Sequence, residues 1–146
     1  PKDNFKEVDM IEAVENATGV RPLETYLGDI NLFAVFDNED TVSNMTPNFD
    51  AVSKLDGQGL IISSSSNQYD FVSRYFCPKY GINEDPVTGS AHTTLIPYWS
   101  EKLNKISLTA KQVSKRGGEL FCENTDNRVL IGGNAVLYMK GVIEID

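Results

Sequence analysis

The sequence predicts an α+β domain. Three observations predict it: strand-like runs outnumber helical ones, one helical stretch interrupts the strands of the second half, and strand and helix do not alternate strictly, as a doubly wound parallel sheet requires. At 146 residues the chain has the usual size of one domain and needs neither metal nor disulfide to fold. It reads as one compact unit, 1–146, without linker, internal repeat or low-complexity segment.

The elements follow in order. Val8, Ile11, Val14 and Ala17 share a helical face, and Gly19 stands where a left-handed residue would stop the helix, so a helix is expected near 7–17. DINLFAVF, from Asp29 to Phe36, is apolar on both alternating sets, as in a strand buried on two faces. Asn48 can cap a short helix carrying Phe49, Val52 and Leu55, ended by Asp56, Gly57 and Gly59. GLIISSS and YDFVSRYFC read as two further strands, with the serine run Ser63–Ser66 a strand end or loop. A helix should open at Ser90, with Pro97 kinking or breaking it between Thr93 and Pro97. ISLTAKQV, GELFCEN, RVLIGG and AVLYMKGVIEI then form a meander of strands.

Composition narrows the function classes. A net charge of −8 repels a phosphate backbone, so no nucleic-acid partner is expected. No apolar run approaches the ~20 residues of a membrane span, and PKDNFKEVDM lacks the pattern of a signal peptide; a cytoplasmic location is the expectation. Cys77 and Cys122 have neither a second thiol nor a histidine near them in sequence and read as free, partly buried thiols. No metal, nucleotide or flavin signature is present, so no cofactor is expected; the glycines of RVLIGG lack the dinucleotide-binding spacing.

Turn chemistry, acidic side chains and a helix start converge only in GINEDPVTGSAH, Gly81 to His92. Pro86 biases Asp85 to an extended backbone, Gly89 permits unusual dihedrals, and Ser90 can cap the helix. The N–H groups of Gly89, Ser90 and Ala91 at a helix start would form an anion site suited to a carboxylate. A plain strand-to-helix turn fits the same residues. In that case Asp85 bonds its own backbone, Glu84 is solvated, and His92 is a packed or exposed helix residue.

The runs YDFVSRYFCPKYGINEDPVTGSAHTTLIPYW, KQVSKRGGEL and RVLIGGNAVLYMKG, in this order and spacing, resemble the second half of the phenazine-biosynthesis (PhzF-like) family. The resemblance is strong from Gly59 onward and weak before Gly28. It implies a fold like diaminopimelate epimerase, in which two lobes each wrap a curved, mostly antiparallel sheet around a central helix and the active site lies in the cleft between them. This chain would be the C-terminal lobe. Asp85 would orient and polarise substrate, and Gly89 and Ser90 would bind its carboxylate, with Thr88 and Ala91 lining the same subsite. Arg116 of the RGG block either belongs to the turn or faces the cleft.

Two departures accompany the resemblance. The glutamate acid/base of the family and its Gly-His motif belong to the first lobe and have no counterpart in these residues, so the lobe alone is expected to be inactive. Thr88 stands where the related epimerases carry a cysteine base, which disfavours two-thiol racemisation. The expected function is half of a cofactor-independent isomerase that shifts a proton on a small cyclic hydroxy- or amino-carboxylate, as a step in biosynthesis. The expected partners are that carboxylate and the first lobe. The alternatives are a non-enzymatic carboxylate-binding module and a self-associating domain, a homodimer through an exposed apolar face.

Overall fold

A computed structural model describes residues 1–145. The strands are β1 (Lys6–Glu7), β2 (Glu24–Leu27), β3 (Leu32–Val35), β4 (Leu60–Ser65), β5 (Phe71–Phe76), β6 (Glu84–Asp85), β7 (Ser107–Gln112), β8 (Gly118–Asn124) and β9 (Val129–Gly132). The helices are α1 (Ile11–Thr18), α2 (Glu39–Asn44), α3 (Phe49–Val52) and α4 (His92–Leu103), with a 3-10 turn at Pro78–Tyr80. The strands form one nine-stranded sheet in the order β1-β2-β3-β4-β5-β7-β8-β9, with β6 also paired to β5. Only β3 with β4 and β5 with β7 run parallel; the other pairs are antiparallel. The α+β class holds.

The sheet curves around α4. At one side of the helix the Tyr98 hydroxyl donates to Glu24 of β2 (2.9 Å), in the middle Trp99 Nε1 donates to Ser63 Oγ of β4 (2.9 Å), and at the other side α4 packs on β8 and β9. Phe33, Ile61, Phe71, Ala110 and Leu120 fill this concave face. The opposite face is covered by α1, α2 and α3, through Val14, Val42 and Val52 on Ala34, Ile62, Val72 and Phe76.

The expected helix stop at Gly19, the cap at Asn48 and most of the expected strands are found. Gly19 ends α1 at φ 77°, and the Asn48 side chain accepts the Ala51 N–H to open α3. The helix expected at 7–17 begins at Ile11 instead, because Lys6 and Glu7 pair with Leu27 and Tyr26. The sequence reading missed β2 and also α2, whose N-cap is Asn38, accepting from the Thr41 N–H.

Three expectations about the second half need correction. Ser90 does not cap α4: the N-cap position is Ala91, in helical backbone (φ −60°, ψ −30°), and no side chain caps it. Pro97 does not break the helix, which runs on to Leu103. Proline at 97 leaves the Thr93 carbonyl without its helical donor, and the Asp3 N–H occupies it (3.2 Å), while the Thr94 hydroxyl donates to the Asp3 carboxylate (2.6 Å). The last run, AVLYMKGVIEI, forms no strand: Val136, Leu137, Tyr138, Val142, Ile143 and Ile145 are all more than four-fifths exposed, Val136 at 93%. The run pairs with no strand among the described residues, although β9 leaves an edge of the sheet open.

Candidate functional site

The site begins with a short strand. Asp85 is extended because Pro86 follows it, and it pairs with Tyr75 in β6–β5. Beyond Pro86 the chain turns inward, and Thr88 is buried. Its hydroxyl donates to Asp85 Oδ2 (2.6 Å), its N–H donates to Gln112 Oε1 (2.7 Å), and its carbonyl meets His92 Nδ1 (2.7 Å). The N–H and hydroxyl hydrogens of Thr88 are therefore used inside the protein, so it supports Asp85 and does not itself offer a donor to a ligand.

The chain then emerges. Gly89 and Ser90 are exposed, and the first turn is tight, with the His92 N–H donating to Gly89 O (3.1 Å) and the Thr93 N–H to Ser90 O (3.1 Å). Among the described residues the N–H groups of Gly89, Ser90 and Ala91 find no acceptor. They sit at the positive end of α4, a twelve-residue helix. Gly89 is not in the left-handed region, contrary to the sequence expectation, and a Cβ there would meet nothing within 4 Å. What the missing side chain leaves is open space above the helix start.

Asp85, Thr88 and Ser90 line a hollow of about 300 Å³ with Asn31, Tyr75, Cys77 and Ile82. Gly89 faces a second, larger hollow of about 580 Å³ bounded by Gly118, Gly132 and Gly133. Tyr75 Oη donates to Asn31 Oδ1 (2.8 Å), which fixes this wall of the smaller hollow. Burial, and then the nearby charge of Asp85, push the Cys77 thiol up from its ordinary range. Cys77 thus holds its proton and is a poor base. Burial alone pushes Cys122 up to about 12.

The RGG block works from beneath. Ser114 Oγ donates to the Pro86 carbonyl (2.7 Å), and a Cβ on Gly118 would lie 2.5 Å from Val87 Cγ2, so glycine lets β8 pass under the turn. Gly117 turns the chain at φ 67°. Arg116 is exposed beside Glu84, Pro86 and Lys115 and does not line the hollow that holds Asp85. His92 is fully buried, ring to ring with Phe71 (6.0 Å), and burial drives it down to about 4 against the opposing pull of the Thr88 carbonyl.

The phenazine biosynthesis-like protein family, PhzC-PhzF, matches residues 4–141. The chain belongs to this family. An uncharacterized isomerase of Pseudomonas aeruginosa is 45% identical over 145 residues, which cover 99% of this chain and 56% of that protein. An uncharacterized isomerase of Halalkalibacterium halodurans is 43% identical over 124 residues, 84% of this chain and 47% of that one. The crystal structure of a PhzF family protein of Enterococcus faecalis superposes with a TM-score of 0.87 at 50% identity, covering 92% of this chain and 52% of the other. The chain spans about half the length of the curated relatives it matches.

Within this PhzF-family chain, sequence reasoning missed Asn31, Tyr75 and Gln112. Asn31 lies far from the EDPVTGS motif in sequence, and both it and Tyr75 meet the motif only through the sheet. Gln112 lies in the KQVSKRGGEL block, where a neutral amide carries no local pattern that marks it as a partner of Thr88.

Proposed function

We propose that this chain is the C-terminal lobe of a cofactor-independent isomerase, acting by proton shift on a small cyclic hydroxy- or amino-carboxylate. The observation that carries this reading is the run of N–H groups at Gly89, Ser90 and Ala91, which find no acceptor among the described residues at the start of α4, with Ser90 lining the same hollow as Asp85. The trio binds the substrate carboxylate through oriented donors at a helix start, and Ser90 adds a hydroxyl. Asp85, with Oδ2 already held by Thr88, turns Oδ1 to a substrate hydroxyl or amine. The proton itself is moved by an acid/base of the first lobe, in a cleft whose closure raises a carboxylic acid toward the working pH. The names of the relatives as isomerases support the reaction class.

The first lobe is also the proposed cover for residues 136–145, whose apolar side chains stand in the open. Without that lobe, pairing of the same segment with its copy gives a homodimer, which is the second reading.

The test uses the natural gene product that carries this chain, incubated in deuterated solvent with cyclic hydroxy- and amino-carboxylates. Incorporation of deuterium at a ligand carbon is expected, falling about a hundredfold or more in Asp85→Asn and, through weaker binding, in Ser90→Ala. Binding without any exchange would mark a carboxylate-binding module, and unchanged behaviour of both variants removes these residues from the mechanism.

A further inference from the structure

Gln112 is the last residue of β7, paired across the sheet with Ser73 and with Gly118, and it is 1% exposed. Nothing about a strand end requires a buried amide there. Every hydrogen of its amide is nevertheless used, and all on one segment. Gln112 Oε1 accepts the Thr88 N–H (2.7 Å), and Nε2 donates both to the Asp85 carbonyl (2.7 Å) and to Thr88 Oγ1 (3.1 Å). The orientation has no alternative, because the Thr88 N–H can only donate and the Asp85 carbonyl can only accept.

The bond to Thr88 Oγ1 has a consequence at Asp85. A hydroxyl has one hydrogen, and once its lone pair receives Gln112 Nε2 that hydrogen is directed away, onto Asp85 Oδ2 at 2.6 Å. Gln112, Thr88 and Asp85 thus form a directional relay that starts in the sheet and ends on the carboxylate facing the hollow. The carboxylate has Oδ2 bonded to Thr88, and the relay begins at a residue that does not line the hollow.

We infer that Gln112 is a positioning residue: through the Thr88 hydroxyl it fixes the Asp85 carboxylate so that Oδ1 accepts a hydrogen bond from a ligand hydroxyl. The inference rests on the reading of Asp85 and the Gly89–Ala91 turn as a carboxylate site. It deepens that reading by assigning the discrimination for a hydroxyl to a buried neutral side chain. Binding of a bare carboxylate depends on the N–H groups of the turn and is affected little; the added affinity for a hydroxyl depends on the relay.

The experiment compares cyclohexanecarboxylate with 2-hydroxycyclohexanecarboxylate, titrated into the natural gene product and followed at the amide resonances of Gly89, Ser90 and Ala91. The hydroxy acid is expected to bind about tenfold more tightly, the size of one hydrogen bond to a charged group. In Gln112→Leu this tenfold advantage disappears while cyclohexanecarboxylate binds within about twofold of the parent. Thr88→Val removes the same advantage, and the double variant loses no more than either single one, the signature of one shared pathway. Thr88→Val keeps its N–H on Gln112 and serves alone if Gln112→Leu does not fold. A hydroxyl advantage that survives in the folded variants, with only the unfolding temperature lowered, makes Gln112 a stability residue and overturns the inference while leaving the site intact. Amide shifts with both acids but no hydroxyl advantage in the parent protein overturn the inference and leave the carboxylate site standing; absence of amide shifts with either acid removes the site reading and the inference with it.

Discussion

The two faces of the sheet are covered by helices in different ways. On the convex face, α1, α2 and α3 meet the strands through Val14, Val42, Val52, Ile62 and Phe76, and the polar contacts hold the helices by their ends: Asn38 and Asn48 cap α2 and α3, and Arg74, lying over Phe76, donates to the carbonyls of Val42 and Met45 at the end of α2. On the concave face, polar groups lie within the packing: Trp99 reaches Ser63, Gln112 reaches Thr88 and Asp85, and His92 reaches the Thr88 carbonyl. Contacts at helix ends leave the fit between helix and sheet to shape, whereas contacts made within the packing on the concave face also fix the height and rotation of α4, since hydrophobic burial specifies no angle.

Breaking the convex face should cost the most stability and leave the site alone. Ile62→Ala removes a fully buried side chain and is expected to lower the unfolding free energy by about 2–5 kcal/mol in a urea titration, with carboxylate binding by the remaining folded protein unchanged. Gly118→Ala attacks the concave side: the new Cβ would press on Val87, for an expected loss of about 1–3 kcal/mol. Unlike Ile62→Ala, this variant should also weaken carboxylate binding, because the displaced atoms belong to the turn.

The smallest effect is nil at neutral pH and grows on acidification. His92 sits near 4 in the fold, against an ordinary value of 6.5, so between these limits the unfolded chain takes a proton that the folded chain refuses. Stability therefore falls as pH drops through that window and is unaffected above it. Urea midpoints measured from neutral pH down to about pH 5 should show this loss, and His92→Gln should flatten it. A slope identical in the variant would mean that the buried imidazole does not drive the acid sensitivity.

Where a local rule and the tertiary environment agree, the sequence was readable. Gly19 had to stop α1 because no side chain favours φ 77°, Asn48 had to cap α3, and a strand apolar on both alternating sets, Leu32–Val35, had to be covered on two faces. Pro86 could only extend Asp85. The family motif located the turn, and the resemblance of the blocks around it was sufficient to place the chain among the PhzF-like proteins.

Other features depended on partners distant in sequence. Pro97 was expected to interrupt α4, yet the orphaned Thr93 carbonyl is satisfied by Asp3, a residue ninety positions away whose arrival no local pattern announces. Ser90 looked like a cap and is exposed instead, because the helix begins with a tight turn at Gly89. Residues 136–145 carry a strand pattern without a strand: they pair with no strand among the described residues and leave their apolar side chains exposed. By itself the sequence determined the α+β class, the ends at Gly19 and Asn48, the family and the segment that holds Asp85, Gly89 and Ser90, because backbone dihedrals and caps act over a few residues. Only the tertiary structure decided that Gln112 and Thr88 orient Asp85, since directional bonds between buried side chains depend on which strands lie side by side.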